Sequence, residues 1–211
     1  MSNNLIISIG RQFGSGGRLV GKALAEALGF DYYDNELLSL AAKEYGMDPE
    51  FFKMVDEKSD KSLFLQRFEE YFSGGFWANN GLTNDRLFQM QSDTIRRLAE
   101  EKSFVIVGRC SDYVLRDNPN CVSIFLHSTD KDRVARLRER MPESESSSDE
   151  KIIQMMRLAD KHRANYYNFY SNKTWGQSST YTLSIDVSAL GVQQTVEFIL
   201  HFLKMKFPEK W

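Results

Sequence analysis

The residues able to do chemistry gather in three short segments of the chain. Gly14, Ser15, Gly16, Gly17 and Arg18 follow the apolar run Leu5-Ile6-Ile7-Ser8-Ile9, Asp34 follows Phe30-Asp31-Tyr32-Tyr33, and Gly108-Arg109 follow Phe104-Val105-Ile106-Val107. A glycine-rich turn leading from a strand into a helix suits phosphate, because its amide N–H groups turn inward as a nest and the helix N-terminus adds partial positive charge. Glycine permits the positive φ values and the close approach that such a nest needs. A tight glycine turn without a ligand is the competing reading. The segment also departs from the ordinary phosphate loop, G-x-x-x-x-G-K-[ST]. With Gly16 as the last loop glycine, Gly17 stands at the lysine position and Arg18 at that of the metal-binding hydroxyl. Arg18 has the charge to replace the lysine but no oxygen to replace the hydroxyl.

Phosphoryl transfer needs positioning and charge neutralisation more than covalent chemistry, and a planar guanidinium binds two phosphate oxygens at once. Arg133, Arg136 and Arg140 recur at i, i+3 and i+7, which places them on one helical face. A solvated basic face paired with Asp132 and Glu139 is the alternative. Arg109, directly after a buried apolar strand and a glycine, should face a cleft. Asp34 is placed to orient an acceptor or to help hold a metal, and equally to cap a helix starting near Asn35. His127, His162 and His201 have no partner at catalytic or metal spacing and read as structural. The aromatic group Tyr166, Tyr167, Phe169, Tyr170 and Trp175 is a surface for stacking on adenine or, more commonly, part of a core or interface.

These residues need a scaffold, and the apolar pattern supplies one. Short runs of apolar, β-branched or aromatic residues at 5–9, 30–33, 104–107, 122–126 and 181–187 read as strands, those at 5–9 and 104–107 as buried ones. Helical spacing predicts helices from Leu19 to a stop at Gly29 and over 36–45, 86–101, 130–140, 151–170 and 192–205. Two further amphipathic helices are expected within 48–82, broken at Gly74-Gly75 and Asn79-Asn80-Gly81, and residues 142–149, rich in Ser and Glu, are expected to form a flexible loop. Alternating strands and helices imply an α/β fold with a five-stranded parallel sheet covered on both faces. In such sheets ligands bind beyond the carboxyl ends of the strands, which is where all three chemical segments fall.

Bulk composition narrows the classes of function. The chain has 211 residues with a formal net charge of -2, enough for one domain and without the basic excess of a protein that tracks nucleic acid. No apolar run approaches the roughly 20 residues that span a bilayer, and the first residues lack a signal-peptide layout. The two cysteines, Cys110 and Cys121, have no paired-ligand spacing. A cytoplasmic protein is expected, with no nucleic-acid or membrane partner and an oligomeric state left open.

The stretch Gly10-Arg11-Gln12-Phe13-Gly14-Ser15-Gly16-Gly17-Arg18 and the stretch Ile106-Val107-Gly108-Arg109-Cys110-Ser111-Asp112-Tyr113 resemble the cytidylate kinase-like family. Arg96-Arg97-Leu98-Ala99 and the basic helix 133–140 extend the likeness. The resemblance implies a P-loop NTPase fold with a core, a monophosphate-binding segment at about 46–82 and a lid at about 136–163. It implies transfer of the γ-phosphoryl group of ATP, with Mg2+, to CMP or dCMP. Gly14, Ser15, Gly16, Gly17 and Arg18 would cradle the ATP phosphates, and Arg18, Asp34, Arg136, Asp160 and Arg163 would serve catalysis. Asp34, Arg96 and Arg109 would hold the acceptor. Cys110 and Val107 stand where cytidylate kinases have aspartates, and Asp112 either stands in for one of them or caps a turn. Two alternatives stay open: a nucleotide-binding regulatory protein without turnover, and a P-loop kinase of another small metabolite.

Overall fold

The computed structural model describes residues 4–34, 36–45, 84–140 and 147–210. Its strands are β1 (Ile6–Arg11), β2 (Asp31–Tyr33), β3 (Phe104–Val107), β4 (Cys121–His127) and β5 (Leu183–Asp186). Its helices, numbered among the described residues, are α1 (Gly17–Leu28), α2 (Glu36–Glu44), α3 (Asn84–Glu101), α4 (Ser111–Val114), α5 (Asp130–Arg140), α6 (Asp149–Ser171) and α7 (Val187–Lys206). The helices expected within 48–82, and residues 142–146 of the expected loop, lie outside the described residues.

All strands run parallel, in the order β2-β3-β1-β4-β5. In register, Ile7 lies between Val105 of β3 and Val122 of β4. Alternation along the strands sorts side chains to two faces. Ile7, Ile9, Val105, Val107, Ile124 and Leu126 pack beneath Val20 and Leu24 of α1 and Val196, Ile199 and Leu203 of α7. Ile6, Phe104 and Ile106 pack on the other face against Leu37 of α2, Ile95 and Leu98 of α3, and Val114 of α4. Both faces are packed along β1 and β3, which is why these strands read as continuous apolar runs. Chain order reverses on either side of β1, so the crevice beyond its carboxyl end is the natural ligand site.

Local chemistry sets the element ends. Gly29 (φ 65°) closes α1 by donating to Ala25 and Glu26 carbonyls. The Ser148 hydroxyl accepts from the Lys151 amide and opens α6. The last helix starts five residues before its apolar periodicity does. The Asp186 carboxylate accepts from Ser188 N and begins a turn, and Gly191 (φ 73°, ψ 171°) breaks it before the regular helix. β5 starts two residues later than the apolar run implies, because Tyr181 turns its ring onto Phe125, with centroids 5.0 Å apart. No helix among the described residues is long and apolar enough to cross a membrane.

Ile7 is fully buried in the central strand. Ile7→Ala should lower unfolding free energy by about 2–5 kcal/mol through lost transfer energy and a residual cavity. Urea denaturation followed by circular dichroism measures this.

Candidate active site

The loop between β1 and α1 is built without side-chain caps. Gly14 (φ 77°) and Gly16 (φ 89°) take left-handed backbone, and Gly16 is the N-cap of α1 with no side-chain hydrogen bond and no acidic residue in the first turn. The uncapped helix start therefore presents amide donors and partial positive charge. The Ser15 hydroxyl is buried and donates to the Gln12 carbonyl at 2.9 Å. It braces the loop.

Helices α5 and α6 grip this loop from the far side. Arg133 donates through Nε to the Phe13 carbonyl (2.7 Å) and through Nη2 to Asp160 (2.5 Å). Asp160 in turn accepts from the Phe13 amide at 2.7 Å. One carboxylate and one guanidinium thus hold both sides of Phe13, whose ring joins Val134, Leu137, Ile152 and Met156 in a small core. Arg136 donates through Nη1 to the Gly14 carbonyl (3.2 Å) and to Ser128 Oγ (2.9 Å). Arg163 donates to the Arg11 carbonyl (3.3 Å), lies 3.6 Å from Asp160 and stacks on the Phe13 ring at 5.3 Å. Its Nε is buried with no hydrogen-bond partner.

On the other side, Asp34 lies 2% exposed at the end of β2. Its Oδ2 is ion-paired with Arg18 Nε and its Oδ1 lies 3.6 Å from Arg11 Nη2. Burial alone would raise the Asp34 pKa, but Arg11, Arg18 and Arg109 outweigh it and hold the carboxyl below its ordinary 3.8. Arg140 and Arg163 also lie within electrostatic reach of Asp34. Burial lowers the Arg11 pKa, with Arg109 and Arg18 adding to the push and Asp34 opposing it. Burial and Arg11 bring Arg163 down to about 9, still protonated at neutral pH. Cations outnumber the carboxylates that face them.

The third strand end is strained. Gly108, Arg109 and Cys110 are consecutive left-handed residues with φ 83°, 63° and 52°, a conformation that costs non-glycine residues roughly 1–3 kcal/mol each. Ser111 pins the turn, bonding Gly108 O through its hydroxyl (2.8 Å) and meeting Ser8 Oγ at 2.6 Å. The turn sends Arg109 toward Arg11 and Asp34, and buries Cys110 among Phe125, Tyr167 and Tyr181.

Gly14, Ser15, Gly16, Gly17, Arg18, Asp34, Arg109, Arg136, Asp160 and Arg163 are therefore gathered around one loop. Arg96 and Asp112 are not. Arg96 is exposed on α3 and pairs with Asp93 one turn away, at 3.1 Å. The Asp112 carboxylate accepts from Tyr167 Oη at 2.5 Å, tying α4 to α6, and burial raises its pKa despite that bond. Sequence reasoning missed Arg11, which ends a buried strand much as Arg109 follows one, and missed Arg133 as the loop's latch. The aromatic group divides: Tyr167 is buried among Cys110, Phe125 and Tyr181, and Tyr170 stacks on Phe88 with centroids 4.0 Å apart, whereas Phe169 is exposed.

The site fits nucleotide phosphates, through the uncapped amides, the converging guanidiniums and the unpartnered Arg163 Nε. Among the described residues it does not fit a protein-held magnesium ion. Both oxygens of Asp34 face arginines, Asp160 is bonded to Phe13 and Arg133, and α1 opens on Gly17 and Arg18 with no hydroxyl. Among the described residues no group of three His, Cys, Asp or Glu side chains is arranged to hold a metal.

Because its folded pKa is depressed, Asp34 contributes stability above its unfolded pKa near 3.8 and loses that contribution as pH falls below it. Asp34→Asn should cost about 1–3 kcal/mol at pH 7, through the guanidiniums left unpaired. It should also flatten the decline in stability between pH 5 and about 3. Urea midpoints across that range measure both effects.

Comparison with known proteins agrees with this geometry. A model of the cytidylate kinase-like family matches residues 6–189. An uncharacterized protein from Eubacterium ventriosum ATCC 27560 is 30% identical, with 95% of this chain and 99% of that one covered and a TM-score of 0.69. A gluconokinase from Sinorhizobium meliloti 1021 is 15% identical over 100% of both chains, with a TM-score of 0.54. A shikimate kinase from Bacteroides thetaiotaomicron is 15% identical over 95% of this chain and 98% of that one, with a TM-score of 0.51. At that identity the two kinases establish a shared P-loop kinase fold and nothing about substrate. No curated protein matches the chain. With its parallel sheet, glycine loop and match over residues 6–189, this chain belongs to the cytidylate kinase-like family.

Proposed function

We propose that the protein transfers the γ-phosphoryl group of ATP to an acceptor that is itself a phosphate, a nucleoside monophosphate with CMP or dCMP first. The observation that carries this reading is the convergence of Arg11, Arg18, Arg109, Arg140 and Arg163 on one carboxylate beside an uncapped glycine loop. Such an excess of fixed positive charge is what a phosphoryl-transfer site must provide. In this reading the amides of Gly14, Ser15, Gly16 and Gly17 seat the ATP phosphates. Arg136 and Arg163 approach from the lid side of the loop. Asp34 orients Arg18 toward the transferring group, and Arg109 meets the acceptor.

The committed carboxylates support a phosphate acceptor over an alcohol. A hydroxyl must lose a proton to attack, which asks for a base within reach. Asp34 is held between Arg11 and Arg18, and Asp160 between Phe13 and Arg133. A phosphate oxygen is already ionised at neutral pH and asks instead for cations, which the site has in excess. The fold shared with a gluconokinase and a shikimate kinase keeps another small metabolite as the alternative acceptor. The free thiols Cys110 and Cys121 suit a reducing compartment and support a cytoplasmic location.

ADP release from ATP with magnesium, measured against a panel of nucleoside monophosphates including CMP and dCMP, tests the reading. Turnover with one or a few acceptors is expected. Arg18→Ala should lower kcat/KM by about 10- to 100-fold, the loss of one charge-assisted hydrogen bond or two. Tight ATP binding with no turnover on any acceptor would instead support a regulatory nucleotide-binding module. Unchanged kinetics in Arg18→Ala would remove that residue from the mechanism.

A further inference from the structure

Position 17, where a phosphate loop ordinarily carries its lysine, is glycine, and the space a side chain would take there is already filled. A Cβ on Gly17 would lie 2.7 Å from Arg11 Cβ and 2.9 Å from Arg11 Cγ. The same arginine continues across Gly108, where a Cβ would collide with Arg11 Nη1, and ends with Nη2 3.6 Å from Asp34. Two glycines from separate segments thus make room for one side chain. The Arg11 backbone is fixed as well: it is the last residue of β1, paired in register with Leu126, and its carbonyl accepts from Arg163.

We propose that Arg11 is the phosphate-binding cation of this loop in place of the absent lysine, and that the loop holds nucleotide phosphates by guanidinium charge without a magnesium ion ligated by the protein. The inference rests on the nucleotide-binding reading above and adds a residue and a charge-neutralising device to it. Asp34 keeps Arg11 extended along the crevice, and Arg18 shares the same carboxylate. A guanidinium stays charged when buried and offers a planar pair of donors. It therefore supplies in one group the charge of the missing lysine and part of the neutralisation that a loop hydroxyl and its metal would give. Among the described residues, the two carboxylates beside the loop, Asp34 and Asp160, are already paired with arginines or bonded to the loop amide.

Calorimetric titration of the full chain with ATP, once in excess EDTA and once in excess magnesium, tests the metal clause. Dissociation constants within a few-fold of each other are expected. Binding that disappears in EDTA and returns with magnesium would overturn that clause while leaving the kinase reading standing. Wild-type protein that binds no ATP in either buffer would overturn the underlying reading as well. Arg11→Ala should weaken ATP binding by about 10- to 100-fold in both buffers. The decisive variant combines Arg11→Gly with Gly17→Lys, because the Arg11 Cβ, which alanine would keep, lies 2.7 Å from the place a Cβ at 17 must take. Recovery of most of the lost affinity is expected, and a merely structural role for Arg11 would not give it. Unchanged affinity in Arg11→Ala, or no recovery in a double variant whose circular dichroism and unfolding midpoint match those of Arg11→Gly, would overturn the assignment of Arg11.

Discussion

One carboxylate, Asp34, answers several guanidinium groups at once, and the rest of the site is arranged around that imbalance. Arg18 bonds it directly and Arg11 pairs with it at 3.6 Å, while Arg109, Arg140 and Arg163 lie within electrostatic reach. Like charges brought together in a partly desolvated crevice repel. The fold offsets part of the repulsion by anchoring two of the cations at the loop away from Asp34. Arg163 is held by the Arg11 carbonyl and the Phe13 ring, and Arg136 by Gly14 and Ser128. A polyanion entering the crevice relieves the repulsion, so the folded protein holds in advance part of the electrostatic gain that binding realises.

Rigid strand ends make this arrangement possible. β1, β2 and β3 finish side by side with both faces of the sheet packed, so the residues just beyond them have little freedom. The left-handed turn at Gly108-Arg109-Cys110 persists because Ser8 and Ser111 brace it from beneath and an aromatic cluster receives Cys110. Helices α5 and α6 then bring their charges to the loop through the Phe13 latch, in which Arg133 and Asp160 bind the carbonyl and amide of one residue. Movement of α5 and α6 would therefore act on the glycine loop through hydrogen bonds rather than through loose contact.

Much of this was legible in the sequence, and the exceptions have physical causes. Strand β3 and helix α5 have the ends that the apolar pattern predicts, because buried parallel strands and amphipathic helices leave a periodic trace. Arg109 was readable because a charge after a buried strand must find a polar exit. The same logic applies to Arg11, which also follows an apolar run and a glycine, but the loop motif puts the cation nearest the lysine position in sequence at Arg18. The glycine at 17 carried the signal: it marks a space that some other side chain fills. Arg96 and Asp112 rested on likeness to a family, which fixes a position in an alignment but not the direction of a side chain. Asp112 turns to Tyr167 because α4 begins in an unusual left-handed turn that no periodicity announces. Acceptor recognition expected within 46–82 lies outside the described residues.

The claim at the centre of this account is that phosphate, rather than the nucleoside, is what the site recognises. Titration of the protein with adenosine, AMP, ADP and ATP at low and moderate salt tests it most directly. The account predicts that affinity climbs with each added phosphate, by about tenfold or more between AMP and ATP, and that the climb flattens as salt screens the guanidinium charges. Adenosine binding as tightly as ATP, with no dependence on salt, would contradict it.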